Sequence, residues 1–162
     1  MASGEKILQY FKSNACFKGL ECNLFFIDEK LDFNEFNVPF VCIINTKSKY
    51  GYVEGKESHW VCLYYNGNRE KCIIFFDSLA KPPPSQVLKN IYNSGLFNCV
   101  SYSNLPIQSR FTELCGLYVV MLVYLVFCKG LSFAQFLDTF SSNTAENDKH
   151  MFSIYNKDLR KS

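Results

Sequence analysis

His59-Trp60-Val61-Cys62-Leu63-Tyr64-Tyr65-Asn66-Gly67-Asn68-Arg69-Glu70-Lys71-Cys72-Ile73-Ile74-Phe75-Phe76-Asp77 is the stretch from which the fold can be read. Trp60–Tyr65 and Cys72–Phe76 are rich in β-branched and aromatic residues. Between them, Asn66-Gly67-Asn68-Arg69-Glu70 tolerates positive φ and a reversal of direction, so the pattern predicts a hairpin. His59 immediately precedes the first strand and Asp77 immediately follows the second. Antiparallel pairing therefore carries both to the same open end. With the turn centred on Asn68 they lie directly opposite each other on one side of the sheet, and moving the centre by half a residue shifts the register by one.

Working outward toward the N-terminus, Pro39–Thr46 is a compact apolar run expected to form a buried strand, followed by a charged surface loop over Lys47–Ser58. Phe17–Asn37 reads as irregular, and Ser3–Ser13 as a short amphipathic helix with Ile7, Leu8 and Phe11 on one face. On the C-terminal side, Ser85 is placed to cap a helix carrying Val87, Leu88, Ile91 and Tyr92, with Gly95 as its stop. Cys99–Leu105 is expected to return as a strand ended by Pro106. The run Cys115–Cys128 is apolar on every side, too short for the ~20 residues that span a bilayer. It reads as a central buried helix, with Thr112 as its cap and Lys129-Gly130 as its stop. Ser132 and Gln135 form a capping-box pattern ahead of Phe133, Phe136, Leu137 and Phe140, and a last helix is expected over Thr144–Tyr155. The sum is an α+β fold, a small mixed or antiparallel sheet packed against a helical layer with a central buried helix, in one domain spanning residues 1–162.

Composition sets limits on function. The chain has 162 residues, 48% hydrophobic and 20% charged, which excludes disordered and collagen-like classes. A net charge of +2, from 17 basic and 15 acidic residues, is too small to imply an obligatory nucleic-acid partner. Eight cysteines occur with no Cys-x-x-Cys pair and only two histidines, so no metal site is expected. The N-terminal residues lack an apolar signal-peptide core, and the cysteines are therefore expected to be reduced.

With two histidines, a Cys/His mechanism has few assignments. His150 lies in the charged stretch Glu146-Asn147-Asp148-Lys149 and reads as a solvated helix residue. His59 has Asp77 beside it to fix its tautomer and stabilise an imidazolium. Cys115 is the one cysteine followed by glycine, in the first turn of the buried helix, where backbone N–H groups favour thiolate. Gln108, seven residues earlier, could join the Cys115 N–H in an oxyanion hole. Each has a plainer reading when taken singly: Cys115 as a buried small hydrophobe, His59 as a surface strand residue, Asp77 as a turn former, Gln108 as a loop residue. Trp60 reads as a core anchor.

Taken in order, His59-Trp60, Asp77, Gln108 and Cys115-Gly116-Leu117 resemble the adenovirus maturation protease family, the adenains. Phe17-Lys18-Gly19, Val41-Cys42-Ile43-Ile44-Asn45-Thr46 and the stretch Asp148–Tyr155 are similar as well. The resemblance implies a cysteine endopeptidase, in a superfamily shared with SUMO-specific proteases and some bacterial acetyltransferases, with His59, Asp77, Cys115 and oxyanion-hole Gln108 as its catalytic residues. It implies processing of viral capsid and core precursor proteins during virion maturation, by a monomer, within the virion and the infected host cell, in the nucleus or a cytoplasmic virus factory. It implies that no cofactor is required. Adenain-like enzymes are stimulated by a disulfide-tethered peptide and by DNA, which makes Cys99 the candidate peptide tether, while the charge of +2 argues for weak or no nucleic-acid binding and nothing points to a membrane. The alternatives are a ubiquitin-like deconjugating protease and a catalytically silent capsid interaction module.

Overall fold

The computed structural model describes residues 3–51, 58–110 and 112–160. Its frame is a five-stranded mixed sheet in the order β1 (Glu21–Phe26), β2 (Phe40–Asn45), β3 (Trp60–Tyr65), β4 (Cys72–Phe76) and β5 (Cys99–Ser101). The pairs β2/β3 and β3/β4 are antiparallel, and the outer pairs β1/β2 and β4/β5 are parallel. Among the described residues, five α-helices surround it: α1 (Gly4–Ser13), α2 (Ser85–Ser94), α3 (Cys115–Val123), α4 (Phe133–Asp138) and α5 (Thr144–Ile154). This is the expected α+β architecture, with the mixed form of the sheet.

Strand alternation divides the apolar residues between two cores. Val41, Ile43, Trp60, Cys62, Tyr64 and Phe76 face α1 and α3, whereas Cys42, Ile44, Val61, Leu63, Ile73 and Phe75 face α2 and the 3₁₀ turn at Phe33–Glu35. Covering both faces explains why β2 reads as a continuous apolar run rather than an alternating one. Every residue of α3 is buried, and one π-helical turn, Tyr124–Cys128, continues it. At ~1.5–3 kcal/mol for each large apolar side chain removed from water, α3 is the largest single contributor to the inner core.

The hairpin has the expected strands but not the expected turn centre. Cys62 pairs with Phe76, Leu63 with Phe75 and Tyr64 with Ile74, which centres the reversal on Arg69. The Asn68 amide explains the shift, because it bonds both backbone groups of Cys72, donating to the carbonyl at 2.8 Å and accepting from the N–H at 2.9 Å. His59 and Asp77 thus become diagonal neighbours of the same parity rather than direct partners.

Other expectations need correction. Phe17–Asn37 contains β1, an edge strand whose pairing to β2 is parallel and therefore announced by no local turn. Ser85 is the first residue of α2 and caps nothing; the capping position falls to Pro84. Thr112 does not cap α3, which starts at Cys115 behind Leu114 without a side-chain cap. The strand after Asn98 stops at Ser101. The cysteines are not all thiols, since Cys72 and Cys99 are joined by a disulfide between β4 and β5. The Ser132/Gln135 capping box is present. Of the surface loop at Lys47–Ser58, residues 52–57 lie outside the described residues.

α1 closes the inner core over Trp60 at a glycine. A Cβ on Gly4 would sit 2.8 Å from Trp60 Cζ3 and 2.7 Å from Leu24 Cδ1. Gly4→Ala should therefore lower unfolding free energy by ~1–3 kcal/mol, the usual cost of overpacking, even though alanine is the better helix former. Urea denaturation checks the sign.

Candidate active site

Cys115 is the first residue of α3 and is 5% exposed. Because no side chain caps this helix end, its first N–H groups remain available and the macrodipole is positive at the sulfur. The Trp60 backbone N–H points at Sγ from 3.4 Å, and the Ser58 carbonyl lies 3.7 Å from it. The sulfur thus has one backbone donor and one backbone acceptor beside it. Trp60 itself is buried in the inner core, so the β3 residue that anchors the sheet also presents the donor.

His59 Nε2 donates to Asp77 Oδ1 at 2.7 Å. Asp77 is buried, and the same oxygen accepts from the Leu79 N–H at 2.8 Å, which fixes the carboxylate. The Cys115 side chain also acts on the imidazole electrostatically, and with Nε2 engaged by Asp77, Nδ1 is the ring nitrogen left for sulfur. Burial alone would lower the His59 pKa, but the bond to Asp77 and the contact with Cys115 outweigh it and hold the ring at about 9. Such a ring stays protonated at neutral pH and can stabilise a thiolate beside it.

Gln108 is 3% exposed. Its Nε2 donates to the Thr112 carbonyl at 2.8 Å, and its Oε1 accepts from the Ser78 hydroxyl. His59, Gln108 and Cys115 line one cleft of about 570 Å³, together with Thr46, Leu79 and Glu113. The structure thus brings together all four residues expected to act: His59, Asp77, Gln108 and Cys115. His150 is exposed on α5, away from the cleft. Cys99 is also elsewhere, on β5, and its sulfur is taken up by Cys72, so it does not present the free thiol expected of a peptide tether.

Sequence reasoning missed the residues that hold the Gln108 loop. The Ile107 carbonyl accepts from Asn147 Nδ2 at 3.0 Å and lies 3.2 Å from Tyr118 Oη. Asp148 accepts from Tyr118 Oη at 2.7 Å and from the Thr112 hydroxyl at 3.1 Å. Burial, and then the adjacent Asp148, push the Tyr118 phenol well above its ordinary pKa, so it remains a donor. Thr112 caps no helix because it lies two residues before Leu114, the capping position of α3, and its hydroxyl has the Ser109 carbonyl and Asp148 as alternative acceptors instead. Asp148 had one signal in the sequence, its place at the start of the stretch that resembles adenain, but nothing local said what it or Asn147 binds.

No protein-family model matches the chain, and neither does any curated protein. Among solved structures, it is similar to the ASFV pS273R protease, with a TM-score of 0.52 and 22% identity over 71% of this chain. The chain spans 42% of that protein's length. It is also similar to ChlaDub1 from Chlamydia trachomatis, with a TM-score of 0.53 and 15% identity, covering 96% of this chain and 78% of the other. A known protease uses this fold. The likeness holds for the architecture and does not single out adenain.

The His59–Asp77 pair predicts a titration. A folded pKa of about 9 against an ordinary 6.5 means that its stabilising contribution is fully present below pH 6.5 and is lost as pH rises through about 9. In Asp77→Asn the partner charge is gone while burial and the influence of Cys115 remain, so the ring should titrate below the wild-type value. NMR of the His59 ring protons measures both values.

Proposed function

We propose that this chain is a cysteine endopeptidase acting through an acyl-enzyme thioester. The observation that carries the reading is the imidazole of His59, bonded to the Asp77 carboxylate, lining the same cleft as the Cys115 sulfur and the buried Gln108 amide. The Cys115 thiolate attacks the scissile carbonyl, and the developing oxyanion is met by the Gln108 amide and the Cys115 backbone N–H. The imidazolium then protonates the leaving amine. In the second half, neutral His59 takes a proton from water, which attacks the thioester and releases the acid. Asp77 keeps the ring in the orientation that makes both transfers possible.

The substrates we propose are viral capsid and core precursors cut during virion maturation, in the virion and the infected cell, as for the family that the motif order resembles. A monomer needing neither bound cofactor nor DNA fits the charge of +2. Ubiquitin-like fusions form the second arm of the test, because the same site chemistry serves a deconjugase.

Wild type and Cys115→Ala should be incubated with virion precursors and with ubiquitin-like fusions, and new termini mapped by mass spectrometry. New termini appear with wild type alone, and among the precursors. Cleavage confined to the fusions would make the chain a deconjugase; undiminished cleavage by Cys115→Ala would remove the nucleophile from the mechanism.

Gln108→Ala should lower kcat by ~10²–10³ with little change in KM, the scale for loss of one oxyanion donor. Steady-state kinetics on a mapped peptide provides the check. Cys99→Ser should leave peptidase activity within about tenfold of wild type, since Cys99 touches none of the reacting groups.

A further inference from the structure

Ser78 directly follows the acid that orients His59, and at 1% exposure it is more buried than Asp77. Its backbone carbonyl accepts from the Ile107 N–H at 3.0 Å and the Gln108 N–H at 3.1 Å, while its hydroxyl donates to Gln108 Oε1. We propose that Ser78 is the positioning residue of the oxyanion hole, its hydroxyl holding the Gln108 amide with the nitrogen available to the cleft. The proposal rests on the peptidase reading and deepens it.

The chemistry of the neighbours decides which way the amide points. One end of the Gln108 side chain meets the Thr112 carbonyl, which can only accept, so that end must be Nε2. The other end is then Oε1, an acceptor, and Ser78 must donate to it. Nε2 carries two protons, and Thr112 takes one. The second is left for an oxyanion built on Cys115.

Without the Ser78 hydroxyl, Oε1 would be buried with no donor and the amide would be held by the Thr112 carbonyl alone, so it can tilt about that one contact and carry its second N–H away from the cleft. One dipeptide, Asp77-Ser78, thereby sets both the base and the oxyanion donor, the carboxylate acting on His59 and the hydroxyl on Gln108. The two backbone bonds from Ile107 and Gln108 to Ser78 survive any side-chain change, so the hydroxyl can be tested apart from the loop that it serves.

The test compares Ser78→Ala, Ser78→Thr, Gln108→Ala and the double variant Ser78→Ala/Gln108→Ala in the full chain. In Ser78→Ala, kcat should fall by roughly tenfold to a hundredfold, less than for loss of the donor itself, with KM changed little. Ser78→Thr restores the hydroxyl and should recover most of the rate. If Ser78 works through Gln108, its removal from the Gln108→Ala background should have almost no further effect.

Two thiol reagents provide a readout independent of turnover. A peptide aldehyde forms a tetrahedral hemithioacetal on Cys115 and needs the oxyanion hole, whereas iodoacetamide alkylates the sulfur without one. Ser78→Ala should weaken the aldehyde in step with the loss of kcat and leave the alkylation rate unchanged, which also shows that Cys115 and His59 remain folded around each other. Wild-type kcat in Ser78→Ala, or a full additional loss in the double variant, would overturn the role of Ser78 while leaving the peptidase reading intact. A wild-type protein that neither cleaves nor binds the aldehyde would overturn both.

Discussion

The docking of α3 against β3 is the constraint on which the site depends. Cys115 has no polar environment of its own making; it lies at the end of a helix that is apolar on every side and can be stable only inside the inner core. Burying that helix against Trp60, Cys62 and Tyr64 fixes its N-terminus within 3.4 Å of the Trp60 backbone N–H, one residue from His59. Hydrophobic burial, which has no direction, is converted into direction by the strand that receives it. The Asp77 bond then sets the ring within the space that packing has already defined.

Around that contact, the groups expected to act are tied to one another through a polar network. Asp77 is held by Leu79, Gln108 by Ser78 and Thr112, Thr112 by Asp148, and Asp148 by Tyr118 from the helix that begins with Cys115. The path leaves α3 and returns to it. Buried polar groups with several partners reorganise little, which is what a site needs if its dipoles are to meet charge appearing at a substrate carbonyl.

The parts legible in the sequence were those governed by local physics. The hairpin followed from two β-rich runs around Asn-Gly, the buried helix from its lack of a polar face, and the Ser132/Gln135 box from capping chemistry. That His59 and Asp77 meet was legible from strand parity, although the register moved by two residues because Asn68 bonds Cys72 across the turn. Hidden were features set by distant partners: β1 in parallel pairing, the Cys72–Cys99 link, and the bonds of Ser78, Asn147 and Asp148 to the Gln108 loop. A serine after an aspartate looks like any turn until its neighbour 30 residues away is known.

The distribution of the site over the chain has a kinetic consequence. His59 and Cys115 are brought together across more than 50 residues, and the loop that carries Gln108 is fastened by α5, further along still. Contacts of such separation form late, after loop-closure entropy has been met by other pairings. While the chain emerges during synthesis, Cys115 therefore has neither imidazole nor oxyanion donor beside it and is an ordinary thiol. The site is complete only once α5 has docked on the Gln108 loop, so whatever chemistry it performs is withheld by topology until then.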